Sequence, residues 1–62
     1  MMDELAARVI AAMEQAAISG LCREGQLEIG VQTARELRPD LDNAELLTLV
    51  SELYDERFTD KQ

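Results

Sequence analysis

Few side chains in this sequence could do chemistry, and they begin with one thiol. Cys22 is the single cysteine; Arg23 follows it, and it lies where a helix should begin. A neighbouring cation and a helix N-terminus both activate a thiol. A thiol nucleophile also needs a base, and the chain contains no histidine. Cys22 therefore reads as a small, half-buried hydrophobe. Acidic residues number thirteen, but carboxylates ranged along a helix with no pocket between them do not make an acid–base pair. Asp40-Leu41-Asp42-Asn43 has the opening of a calcium loop, yet the position that requires glycine is Glu45 and the closing glutamate is replaced by Ser51. One cysteine without histidine cannot build the roughly four-ligand shell of a structural zinc. These residues imply no enzyme activity, no metal and no cofactor.

Carrier and nucleic-acid roles also start at a disadvantage. A carrier domain would present a serine at a helix start, whereas Ser19 stands in Ile18-Ser19-Gly20-Leu21 at a helix end. Ala16 and Gly20 have a spacing compatible with a helix-turn-helix, but Gln15, Ser19 and Gln26 occupy positions where that unit packs apolar side chains. The formal charge is −7, and it is uneven. Residues 1–20 carry −2, residues 21–39 are neutral, and residues 40–62 carry −5. Such a chain repels phosphate backbones, so no direct nucleic-acid binding is expected.

The elements that position these residues are helices. Asp3 to Ser19 is rich in alanine and uninterrupted by Gly or Pro, so a helix is predicted there. Leu5, Val9, Ile10, Met13 and Ala16 fall on one face, with Glu4, Arg8 and Gln15 opposite. Gly20 supplies a left-handed stop, with Leu21 placed to pack back on Ala16. A second helix starts within Cys22–Gly25, without a capping side chain, and runs to Leu37 before Arg38-Pro39 ends it. Its expected buried stripe is Leu27, Val31, Ala34 and Leu37, and Gly30 beside it implies a close helix crossing. The third helix, 43–58, has the clearest start. Asp42 and Glu45 form a capping box, with Leu41 and Leu46 as a hydrophobic staple. Residues 59–62 should fray. The expectation is one all-α domain over 1–62, a three-helix bundle with helices at about 3–19, 23–37 and 43–58.

Sixty-two residues give a marginal core, which small domains commonly reinforce with disulfides, metals or partners. With the first two lacking ligands, a homodimer is the expected reinforcement. The third helix carries the surface for it. Leu46, Leu47, Leu49, Val50, Leu53, Tyr54 and Phe58 span about 180° of its circumference, more than a surface helix in a globular domain needs. Either the outer members merely cover the core edge, or one edge is a contact surface; the small size of the core favours the second account. The candidate interface is Leu47, Leu49, Tyr54 and Phe58, with Ile29 as an outlying apolar residue on the second helix. Glu45, Glu52, Asp55 and Glu56 line the opposite, acidic face, which serves as a solvated side or as a phosphate-like track.

The leading functional reading is a small non-enzymatic protein–protein interaction module that dimerises or docks on a larger protein. Its rivals are an acidic mimic of nucleic acid that occupies a basic partner, and an accessory subunit of an enzyme. Met1-Met2-Asp3-Glu4 has no basic stretch before the first apolar residues, and no long apolar run follows. No secretory or transit signal and no membrane span is expected, which gives a cytoplasmic location.

Overall fold

Three apolar-patterned segments produce three helices in the computed structural model, which describes residues 3–58. They are α1 (Glu4–Ile18), α2 (Arg23–Leu37) and α3 (Asn43–Phe58). The fraying expected at 59–62 lies outside the described residues. Ser19, expected inside the first helix, is its C-cap, and Asp3 is its N-cap without a side-chain hydrogen bond.

The stops follow the expected chemistry. Gly20 adopts φ +96°, and its N–H donates to the Ala17 carbonyl at 3.0 Å while the Leu21 N–H donates to the Ala16 carbonyl at 3.0 Å. This pair of bonds is a Schellman motif, and it satisfies carbonyls that α1 would otherwise leave open. The start of α2 has Cys22 as N-cap with no side-chain cap bond. Nearby, the Gln26 side-chain amide donates to the Leu21 carbonyl at 2.8 Å, tying the connection to the helix it precedes. At α3 the capping box is complete: the Glu45 N–H donates to Asp42 Oδ1 at 2.8 Å, and the Asp42 N–H donates to Glu45 Oε1 at 3.1 Å. Leu41, before the cap, packs against the core that contains Leu46.

The core is Val9, Ile10, Met13 and Ala16 from α1, Ala34 from α2, and Leu46 and Val50 from α3. All three helices touch one another. The contribution of α2 is mostly backbone, because its buried residues are Gly30 and Ala34. A β-carbon on Gly30 would stand 2.7 Å from Val50 Cγ1 and 2.9 Å from Met13 Sδ. Gly30 is thus where α1 and α3 both close onto α2, a tighter arrangement than contact with the alanine-rich α1 alone.

The stripe expected on α2 needs correction. Leu37 is 37% exposed, and Leu27 and Val31 are half-buried. The buried line runs through Gly30 and the expected Ala34, and Leu27 and Val31 flank it, packed against the core. Leu37 lies beyond the last core layer, beside Leu5 and Arg8, where the chain turns away at Arg38.

Candidate functional site

The candidate interface residues reach four different places. Tyr54 and Phe58 are half-buried and packed against the core, with ring centroids 4.8 Å apart and planes tilted by 34°. The Arg23 guanidinium lies over the Tyr54 ring at 5.2 Å, covering its outer side. Spaced one turn apart on α3, the two aromatics lie over the α1/α2 layer. Leu47 is different: it is 53% exposed. Leu49 is half-buried beside Ala44, Thr48 and Glu52, on the edge of the acidic side. Ile29 is half-buried on the other side of the molecule, where α2 meets Ala12, Ala16 and Leu21. The structure brings Tyr54 and Phe58 together and leaves Leu47, Leu49 and Ile29 apart.

Leu47 opens onto a groove between α2 and α3. Leu27 and Val31 of α2 form its apolar floor with Leu47. Arg35 and Asn43 close one end, and the Arg35 guanidinium donates to Asn43 Oδ1 across the two helices. Glu24 and Glu28 border the other end. The Arg35–Asn43 contact and the Arg23–Tyr54 contact place the end of α2 by the start of α3 and the reverse, so the two helices run antiparallel along the groove. Leu27 and Val31, expected in the buried stripe, pack against the core with one side and line this groove with the other, a part the sequence does not announce. Taking Gly30, not Val31, as the centre of the buried stripe would have found it. Ile18, 78% exposed at the end of α1, was also not singled out.

The acidic residues Glu45, Glu52, Asp55 and Glu56 are all exposed. Glu45 is committed to the helix cap, so the stretch free to meet a partner is Glu52, Asp55 and Glu56. Cations elsewhere are engaged locally. Arg57 pairs with Glu14 at 2.9 Å, joining the end of α3 to α1, and Arg8 pairs with Glu4 at 3.1 Å. Arg38 grips Asp40 with two bonds of 3.0 Å. Those hydrogen bonds hold the Asp40 carboxyl below its ordinary range, helped by its own backbone N–H, and raise the Arg38 guanidinium above its own. Both groups are exposed, so the pair fixes the α2–α3 connection more than it adds stability.

Cys22 is exposed with a free thiol, not half-buried as its type suggests. Among the described residues no three His, Cys, Asp or Glu side chains converge as a metal site requires. Among the described residues no helix is long and apolar enough to cross a membrane. No protein family, characterised protein or solved structure matches this chain.

Proposed function

We propose that this chain is a non-enzymatic protein–protein interaction module whose contact surface is the groove between α2 and α3. The observation that carries this is Leu47: a large apolar side chain of the best-capped helix, 53% exposed, beside the half-buried Leu27 and Val31. An apolar floor bordered by charged side chains is the anatomy of a contact patch, with apolar centre and polar rim. Its lining pairs neither Glu24 nor Glu28 with a thiol or hydroxyl nucleophile, which favours a contact surface over a catalytic one. Tyr54 and Phe58, packed against the core, support the fold and stand behind this surface instead of forming it. The exposed free thiol of Cys22 suits a reducing compartment, and a cytoplasmic location is part of the proposal.

Position-specific photo-crosslinking in the native host tests this reading. A photoactivatable phenylalanine analogue at position 47 is expected to yield discrete covalent adducts. The same analogue at Glu36, exposed on the far side of α2, is expected to yield none. Equal yields from both positions, or no adduct from position 47, would refute the reading.

A further inference from the structure

We infer that the occupant of the α2/α3 groove is a second copy of this chain, docked about a two-fold axis across the groove's middle. The inference rests on the interaction-module reading above and adds the identity of the partner. What carries it is the polarity of the groove. Its acidic end holds Glu24 and Glu28, one helical turn apart, a like-charge pair whose members repel. Its other end holds Arg35, whose bond across the groove goes to the neutral Asn43. Among the described residues, none of these three charges makes an ion pair, whereas Arg8, Arg38 and Arg57 each do.

A surface with opposite charges at its two ends and an apolar middle is complementary to itself once turned by 180°. The two-fold axis sets Glu24 and Glu28 of each copy against Arg35 of the other. Leu47 and Val31 are then covered by the same residues of the partner. Glu24, Glu28, Val31 and Arg35 recur at intervals of four, three and four, which places them on one line along α2. Two α2 helices can therefore lie antiparallel with that line shared. A different protein would need none of this internal symmetry. Among the described residues, seven buried hydrophobic side chains form the core, which gives a second copy a stabilising role as well.

Sedimentation equilibrium on the full chain tests the inference with a charge exchange. The wild type is expected at twice the 6.9 kDa chain mass. Arg35→Glu alone, and Glu24→Arg with Glu28→Arg, each place like charges opposite one another at both ends of the interface. Each is expected to raise the dimer dissociation constant by about tenfold or more. An equimolar mixture of the two variants restores opposite charges everywhere and is expected to form a heterodimer as tight as the wild type. Circular dichroism on each variant checks that these exposed substitutions leave the helices intact, and recovery in the mixture shows that both chains fold. A wild type that stays monomeric at millimolar concentration overturns the inference, as do variants that dimerise like the wild type. If the chain is monomeric while position 47 still crosslinks to a different protein, the module reading stands and the second-copy inference fails.

Discussion

Substituting each of the three glycines by alanine should separate Gly25 from Gly30 and Gly20, which lose stability for different reasons, and Gly30 is the informative one. In an exposed helix interior, Gly→Ala gains about 1 kcal/mol. At Gly30 the added methyl would stand 2.7 Å from Val50 Cγ1 and 3.0 Å from Met13 Cγ. Both neighbours are fully buried. Met13 can rotate about its thioether, but Val50 is β-branched and confined to one rotamer in a helix. Overpacking a tight core typically costs about 1–3 kcal/mol, and the immobility of Val50 puts this site in the upper part of that range. The net is a loss of about 1–2 kcal/mol, set against a total stability of roughly 3–9 kcal/mol for a chain of this size. Urea and thermal unfolding followed by helical circular dichroism at fixed protein concentration measure it. A loss of 1 kcal/mol lowers the melting temperature of a small domain by about 4–8 °C. Gly25→Ala should be close to neutral, because the gain in helix propensity is offset by Leu21 Cβ, 3.1 Å away on a backbone held by hydrogen bonds at both its N–H and its carbonyl. Gly20→Ala has open space around it yet should lose about 1–2 kcal/mol, since φ +96° is strained for any residue with a β-carbon. A Gly30→Ala variant as stable as Gly25→Ala would refute the close three-helix crossing. Adding Val50→Ala to Gly30→Ala should cost less than Val50→Ala does alone, which assigns the clash to that side chain.

Other perturbations probe the remaining supports of the fold. Phe58→Ala and Tyr54→Ala should each cost roughly 1.5–2.5 kcal/mol, about half the value for fully buried aromatics, because both rings are half-buried. The double variant should lie largely unfolded in the absence of denaturant, and a well-folded double variant would mean that the rings are not core components. Asp42→Ala should cost about 1 kcal/mol by releasing the Glu45 N–H, and an unchanged unfolding midpoint would discount the cap. Asp40 has a folded-state pKa below its unfolded value, so its pair with Arg38 stabilises fully above the ordinary carboxylate range and the effect disappears as pH falls through the depressed folded value. Asp40→Asn should therefore be slightly less stable than wild type at pH 7 and equal to it once Asp40 is protonated in both states. A difference that persists in strong acid would place the effect elsewhere.

The parts of this fold that could be read from the chain are those decided locally. Helix ends depend on a few adjacent residues, so Gly20, Arg38-Pro39 and the Asp42/Glu45 box placed the stops within a residue or two. Faces were legible where helices are strongly amphipathic: four of the five residues assigned to the inner face of α1 are buried, and Leu5 packs beside them. On α2 the expected stripe of Leu27, Val31, Ala34 and Leu37 holds in part: Ala34 is fully buried, Leu27 and Val31 are half-buried against the core, and Leu37 is exposed. Small residues carry the closest contact, at Gly30 and Ala34, which turns the outer parts of Leu27 and Val31 toward the groove and Leu37 toward the end of the bundle. Which side of α3 stays open depends on that rotation, and no local pattern within α3 encodes it.

That same rotation bounds how strongly the groove can hold a partner. Because α2 approaches through its backbone, α1 and α3 come close enough for Tyr54 and Phe58 to be drawn against the core. The apolar half-cylinder of α3 is thereby largely consumed within the chain, and Leu47 is left as its one exposed large side chain. Burying a leucine completely contributes about 1.5–3 kcal/mol, and about half of Leu47 is already covered. The outer parts of Leu27 and Val31 add a comparable amount. Association costs at least about 4 kcal/mol in lost translational and rotational freedom. Apolar burial in the groove therefore roughly offsets that loss without exceeding it by much. Affinity beyond that point has to come from the charges at the two ends, Glu24 and Glu28 against Arg35, which is also where specificity for one orientation resides. A contact built this way is reversible and selective, and it depends on how the groove's two ends are matched more than on the area it covers.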